Sequence, residues 1–491
     1  MGCRPVMSID SLSDDDLLEI FDFCVIQIQD TKEEVEAWQP LVHVCQRWRS
    51  LVFGSARRLN LRLFCDPETQ TRVRDTLDVW PPFLLFVKGD AHQTEESDNI
   101  IAPLERSNRV YYINLVNFSS SQLENILTAT QKPFPELTIL RLMSFRVEAD
   151  TVVPDLFLGG STPRLWDLQL GGVSFPGLPK LLLSATHLNT LHLTDIPHSG
   201  YFSPEALIAS LSTLTHLSTL CLRFRSPRSR PEGESRPPPP LIRTVFPVLF
   251  TLTFKGVSEY LEDLVARIDA PRLGIVTISF FNQIIFDTPL FAQFIRRTPG
   301  FETFEEARLV FKDDVAGVKL SSPKRTRRIK YSYGQLEVKI LCSELDWQVS
   351  SLEQACISSL PCLSLLEDLY IYEEADSLPG WNDTENALWL QLLQSFSGVK
   401  NLYLSRGFEQ RIAPALQELV GDQTAEVLPA LQNIFLENFQ SSSMPSRLVQ
   451  EGIVQFIAAR ELSGFPISIS SFSRWESING MDTLLEILLS R

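Results

Sequence analysis

The sequence predicts an α/β protein in which a short N-terminal helical module precedes a curved solenoid of repeated strand-and-connection units. Three observations carry that prediction. The chain has 491 residues, more than one hydrophobic core ordinarily organises. From residue 110 onward the pattern L-x-x-L-x-L recurs at nearly regular steps, as it does when one supersecondary unit is stacked many times. Ahead of it, Leu12 to Leu51 has helix-start signals and apolar residues every three or four positions, a different period from that of a strand.

The helical module is read from its caps. Ser13-Asp14-Asp15-Asp16 places Ser13 as N-cap with Asp16 at the third helical position, and the three acids suit the positive end of the helix dipole. Leu12 and Leu17 are spaced to form a hydrophobic staple. Leu17, Phe21, Cys24 and Ile28, with Leu18 and Val25 alongside, make one apolar stripe. A polar, charged connection follows from Gln29 to Gln39, and Pro40 suits the first turn of a second helix. Leu41, Val44, Cys45, Trp48, Leu51 and Val52 share one face of it, away from Arg47 and Arg49. Two helices of this size cannot build a core alone, so they must pack on the following domain or on a partner.

Leu12-Ser-Asp-Asp-Asp-Leu-Leu-Glu-Ile-Phe21, followed by Pro40-Leu-Val-His-Val-Cys-Gln-Arg-Trp-Arg-Ser-Leu51, resembles the F-box pattern. Val44 to Arg49 is its most distinctive part. The resemblance implies docking on a Skp-type adaptor, which links such proteins to a cullin-based ubiquitin ligase. It also implies an adaptor-binding set of Leu12, Leu17, Leu18, Ile20, Phe21, Leu41, Val44, Cys45, Trp48 and Leu51. Ser13 stands where a proline is usual, and the connection between the helices is longer than in a compact F-box. The alternative is a helical cap closing the repeat array, since stacked repeats need polar-backed ends.

The clearest repeats begin at Val110, Leu137, Leu165, Leu188 and Leu217, at steps of 27, 28, 23 and 29 residues, the range of a leucine-rich repeat. Less regular echoes begin at Leu249, Leu273, Leu366, Val399 and Leu431. Several connections have helical signals: Ser203 as N-cap before Pro204, and helical spacing at Leu261/Leu264/Val265/Ile268, Trp389/Leu392/Leu393/Phe396 and Ile453/Phe456/Ile457. Where such repeats usually place an asparagine, this chain has Phe118, Phe145, Val173, Ile196, Val257 and Phe439, so the repeats are degenerate. The expected organisation is a helical module over 1–65, a connecting segment and N-terminal cap over 66–109, and the repeat domain over 110–491. A proline-rich loop at 226–240 and a basic loop at 323–330 interrupt that domain. The basic stretch Lys324 to Lys330 reads as an exposed loop or a nuclear-localisation patch.

Because strand side chains alternate, residues between the inward leucines should form a ladder on the opposite face. The ladder contains Arg141, Gln169, His192, Arg223, Thr253, Thr277, Tyr370, Tyr403 and Phe435. Of these, Arg141, Gln169, His192, Tyr370, Tyr403 and Phe435 are the candidate contacts to a protein target, the aromatics being favoured interface anchors. The alternative is that this face is covered by the chain's own loops or its C-terminal segment.

A formal net charge of −16 disfavours nucleic acid and anionic membranes as partners. The eight cysteines include no C-x-x-C pair, which points to reduced thiols in an intracellular, cytoplasmic or nuclear protein. No common phosphate-binding, zinc or hydrolase motif is present, and His187, His192 and His216 fall at repeat positions. No cofactor is expected, and the chain reads as a non-catalytic adaptor. Its partners would be a Skp-type adaptor, through it a cullin, and a protein substrate. By resemblance it is similar to the expanded F-box families of mushroom-forming fungi. A binding scaffold with no link to ubiquitin transfer is the alternative, and an enzyme built on the repeats a third reading.

Overall fold

A computed structural model describes residues 9–25, 31–69, 72–91, 98–143, 151–227, 238, 240–283, 286–322, 334–360, 363–373, 385–419, 426–437 and 447–472. The basic stretch 324–330 and most of the proline-rich loop lie outside them, as do Ile28, Phe145 and Phe439. The chain forms two compact units, one of Met1–Phe202 with Ala209–Leu217 and one of Ser203–Ile208 with Ser218–Arg491.

The first unit opens with helices α1 (Asp14–Cys24), α2 (Lys32–Val35), α3 (Gln39–Val42) and α4 (Gln46–Gly54). α1 starts where the cap signal places it. Ser13 Oγ accepts from the Asp16 N–H at 3.2 Å, and Asp16 Oδ2 accepts from the Ser13 N–H at 3.1 Å. The Ser13 hydroxyl also holds the Asp16 carboxyl below its usual range. Ser13→Ala removes one of two reciprocal bonds and should lower stability by about 1 kcal/mol, read as a shift of the urea midpoint; no shift would mean that the helix end is held by packing alone.

The predicted polar connection and second helix differ from expectation. A second capping box, Thr31 with Glu34, starts the single turn α2. The chain then breaks at Cys45, whose extended backbone (φ −157°) caps α4 through Sγ. The expected second helix is therefore two, α3 and α4, with Pro40 in the first turn of α3.

Six parallel strands follow in chain order: β1 (Arg62–Cys65), β2 (Leu84–Asp90), β3 (Val110–Val116), β4 (Ile139–Met143), β5 (Asp167–Gly171) and β6 (Thr190–Ile196). Parallel pairing thus begins at Arg62, two strands ahead of Val110. Their register shows why the leucines recur: Ile113, Leu140, Leu168 and Leu191 are aligned neighbours, as are Leu115, Leu142, Leu170 and Leu193. Both rows are buried, so each strand contributes two side chains to one continuous apolar layer. Phe118, Val173 and Ile196 are buried where an asparagine is usual.

The second unit has β7 (Thr219–Phe224), the short β8 (Thr244–Val245), β9 (Thr251–Gly256), the short β10 (Ile268–Asp269), β11 (Ile275–Phe281), β12 (Glu306–Phe311), β13 (Val315–Ser321), β14 (Gln335–Leu341), β15 (Asp368–Glu373), β16 (Asn401–Leu404), β17 (Asn433–Glu437) and β18 (Ser468–Phe472). Its sheet runs β7-β9-β11-β14-β13-β12-β15-β16-β17-β18, while β8 pairs separately with β10. The inversion explains the missing echo between Leu273 and Leu366. A three-stranded meander is spliced into the array, with β13 antiparallel to both neighbours while β14 and β12 stay parallel to β11 and β15. Leu309, Val318 and Val338 continue the buried row through it.

The helical connections follow the expected spacing. Ser203 Oγ accepts from the Ala206 N–H at 3.2 Å ahead of the helix Pro204–Leu211, and Ser258–Val265, Asn386–Gln394 and Arg447–Leu462 are helices. Ile268 belongs to β10 rather than to the helix before it.

Candidate functional site

The N-terminal helices use most of their apolar residues internally. Leu17 and Phe21 are fully buried, Leu18 and Leu41 nearly so, and Leu12, Trp48 and Leu51 are half-buried. Phe21 and Trp48 meet edge to face with ring centroids 4.7 Å apart, a preferred aromatic geometry. This contact joins α1 to α4; Leu17 and Phe21 lie inside the module, while Trp48 packs on Phe21 and keeps part of its surface exposed. Arg47, expected to point away from the apolar stripe, ties α4 to the start of α1. Its guanidinium donates to Asp14 Oδ1 at 2.6 Å and to the Leu12 carbonyl at 2.7 Å.

Among the described residues of the module the outward apolar groups are Ile9 just ahead of α1, and Ile20 (42% exposed), Phe23 (90%) and Val44 (58%) on or between the helices, with Cys45 also exposed. Ile20 and Phe23 are three residues apart on α1 and so share a face. Phe23 is absent from the set implied by the F-box resemblance; its signal in the sequence is that it falls off the Leu17/Phe21 stripe while being fully apolar.

Trp38 was hidden in the predicted polar connection. It is fully buried, its Nε1–H donates to the Arg62 carbonyl at 2.8 Å, and it meets Trp80 and Phe83 with centroids 5.2 and 5.0 Å away. Through it the helices are fixed to β1 and to the segment preceding β2.

On the outward face of the first unit's sheet, Asn114, Arg141, Gln169 and His192 are aligned. Arg141 is committed to its own sheet: Nη2 and Nε donate to Asp167 Oδ2 at 2.6 and 3.0 Å, and Gln169 Nε2 donates to Asp167 Oδ1 at 3.1 Å. Toward the N-terminal end this face is aromatic and covered. Phe64 stacks on Phe86 and Phe86 on Tyr112, with centroids 5.6 and 3.9 Å apart. Val35 of α2 lies against Phe86 and Tyr112 and is 1% exposed. Arg62 sits 4.0 Å over the Tyr111 ring. Glu36 Oε1 accepts the Phe64 N–H at 3.1 Å, and burial raises its carboxyl above the usual range despite that bond.

In the second unit the outward row reads Cys221, Thr253, Thr277, Glu337, Lys319, Arg308, Tyr370, Tyr403 and Phe435. Arg223, placed in this row from the sequence, is instead one pleat further on, paired with Lys255; the aligned residue is Cys221. Tyr370, Tyr403 and Phe435 do form one stack, with centroids 4.1 and 4.5 Å apart and planes within 10°. Arg308 lies 5.4 Å over Tyr370 and is ion-paired with Glu306. Burial raises the hydroxyl pKa of both tyrosines. Beside the stack runs an amide ladder: Asn401 Nδ2 donates to Asp368 Oδ1 and Asn433 Nδ2 to Asn401 Oδ1, each at 2.7 Å.

His187 and His216 stack with centroids 6.1 Å apart at exposed repeat turns. Among the described residues no group of three or more His, Cys, Asp or Glu is placed to hold a metal ion, and no helix is long and apolar enough to cross a membrane. Burial pushes the Cys65 and Cys221 thiols up to about 12, whereas Cys24 and Cys45 are exposed. A thiol reagent at neutral pH should therefore label Cys24 and Cys45 ahead of Cys65 and Cys221, because only an accessible thiolate reacts. Peptide mapping that found Cys65 or Cys221 labelled as fast in the native chain would contradict this packing.

No protein-family model and no curated protein matches the chain. Among solved structures, the leucine-rich repeat-containing protein LegL7 from Legionella pneumophila is similar at 12% identity with a TM-score of 0.26, covering 82% of this chain and 98% of that chain. That likeness is too weak to carry an argument about this protein.

Proposed function

We propose that the chain is a substrate-recognition adaptor of a Skp-cullin-F-box ubiquitin ligase. In this reading the N-terminal helices dock on a Skp-type adaptor, and degenerate leucine-rich repeats hold a protein target on their outward face. The observation that carries it is the state of the N-terminal module. Its helices are locked to one another by Phe21/Trp48 and Arg47/Asp14 and to the sheet by Trp38, yet Ile20, Phe23 and Val44 are left in solvent. A mere cap would have no use for that apolar surface, whereas a rigid module presenting such groups is what a docking partner needs. The mechanism is proximity: a target held beside a ubiquitin-loaded enzyme reacts at raised effective concentration, with no bond chemistry done by this chain.

A second reading, a binding scaffold unconnected with ubiquitin, has one observation in its favour. α2 does serve as a cover, since Val35 seals the aromatic end of the first unit's sheet. Affinity purification of the full chain followed by partner identification separates the two. Recovery of a Skp-type protein together with a cullin supports the adaptor; recovery of other partners without either, from cells that contain both, favours the scaffold.

A further inference from the structure

The edge strands of the two units end their cores differently. In the first unit the edge strand β1 is covered: its inward Leu63 and Cys65 are 0% and 2% exposed, and the N-terminal helices are fixed on it through Trp38. In the second unit Leu369, Leu402, Ile434 and Ile469 form one inward row in register. The first three are fully buried, whereas Ile469 of β18 is 49% exposed. The companion row of Ile371, Leu404 and Leu436 runs out on the exposed Ser471. Among the described residues β18 pairs with β17 alone.

The helix leading into β18 is open in the same way. On one side Arg447–Leu462 packs against the preceding helix Arg406–Gln417: Gly452 lies against Ala413, and Gln417 Nε2 donates to Gln455 Oε1 at 2.7 Å. Ile453, Phe456 and Arg460 are buried beneath it. Val454 and Ile457, three residues apart, share the side turned away from that neighbour; Val454 is 59% exposed and Ile457 half-buried. Phe465, in the turn between the helix and β18, is also partly in solvent. Strand and helix together leave an apolar end face of Val454, Ile457, Phe465 and Ile469, where a further repeat or a cap would stack.

The sequence that follows carries a matching cover. Residues 473–491 lie outside the described ones, and Thr483-Leu-Leu-Glu486 within them has the spacing of Ser13/Asp16, Thr31/Glu34 and Ser119/Gln122, each of which starts a helix as a reciprocal capping box. Leu484, Leu485, Ile487, Leu488 and Leu489 come directly after Thr483. A helix this short is marginal in water by itself, and so dense an apolar run gains by leaving water. We infer that residues 483–491 form a short amphipathic helix that packs its leucines on Val454, Ile457, Phe465 and Ile469 and closes the core of the second unit. The connection from Ser473 to Asp482 has ten residues, which extend to about 33 Å, about three helix diameters. A second copy of the chain offers the same leucines, but a short tether sets an effective concentration in the millimolar range, so at micromolar protein the chain's own segment is favoured about a thousandfold.

The test is thiol labelling of the full chain carrying Ile469→Cys, followed by peptide mapping, with the exposed Cys24 as internal reference. The new thiol is expected to label at least about tenfold more slowly than Cys24, and to label at close to the Cys24 rate once Leu484→Asp and Leu488→Asp are added. The protection should be the same across about a hundredfold range of protein concentration, because the cover is tethered. Val454→Cys, on the helix surface, should give the same results and guards against a strand disturbed by the first substitution. Fast labelling of both new thiols in the chain without the aspartates shows an open face, and slow labelling that persists with the aspartates shows a different cover; either outcome overturns the inference. Protection that grows with protein concentration assigns the face to a second copy and overturns it as well. No Skp-type protein enters the measurement, so its failure leaves the adaptor reading untouched.

Discussion

Trp38→Ala is expected to destabilise the first unit by about 3–5 kcal/mol, the range for deleting a large aromatic from a core. Trp38 is fully buried against Trp80 and Phe83, and its indole N–H is the donor to the Arg62 carbonyl. The substitution therefore opens a cavity and removes a buried donor at the same point. Because Phe53 of α4 and the Arg62 carbonyl of β1 both meet that side chain, the loss should unseat the helices from the sheet. Trp38→Phe keeps a ring and loses the donor, so it should cost less, about 1–2 kcal/mol. Urea unfolding followed by the labelling rate of Cys65, buried in β1, reads both variants. A Trp38→Ala cost below about 1 kcal/mol would show that the helices do not depend on this anchor.

Ile20→Asp, Phe23→Asp and Val44→Asp together are expected to abolish recovery of a Skp-type adaptor while leaving the unfolding midpoint almost unchanged. All three side chains are exposed in the chain by itself, so surface substitution costs little folding energy. Burying a side chain of this size in an interface is worth about 1.5–3 kcal/mol each, and placing carboxylates there adds a desolvation cost. Losing even two such contacts exceeds a hundredfold in affinity. The contrast is with Leu17→Asp or Trp48→Asp. Leu17 is fully buried and Trp48 packs on Phe21, so loss of binding in those variants would report an unfolded module rather than a removed contact. Retained recovery of the adaptor by the triple variant would place its docking surface elsewhere.

The leucine rows were legible in the sequence because a stacked strand imposes the same two buried positions on every repeat, and the register of β3 to β6 makes those positions direct neighbours. The aromatic stack was legible for the same reason: Tyr370, Tyr403 and Phe435 hold one place in successive units. Arg223 was misplaced because Leu220-Cys221-Leu222-Arg223 has two outward residues, and only pairing tells which is aligned with Thr253. The meander of β12 to β14 was visible just as a gap, since Glu306-Ala-Arg-Leu-Val-Phe311 alternates like any strand and its partner is not a local property. Trp38 was missed because its neighbours Glu33, Glu34 and Glu36 make the segment read as polar, while its packing partners Trp80 and Phe83 are distant in sequence. In the N-terminal module the apolar pattern located α1 but ran α3 and α4 together as one helix and passed over α2, and a stripe marks only what is buried. It cannot separate residues buried within the module from residues left for a partner; the Phe21–Trp48 contact does.

The central claim is that the N-terminal helices are a docking surface, and its most direct test is a titration of the purified full chain with a purified Skp-type adaptor by calorimetry. Saturable one-to-one binding is predicted, with Cys45 becoming protected from thiol labelling on adding the adaptor and with binding lost in the Ile20/Phe23/Val44 triple variant. Absence of saturable heat, or binding that leaves Cys45 open and ignores the triple substitution, would contradict it.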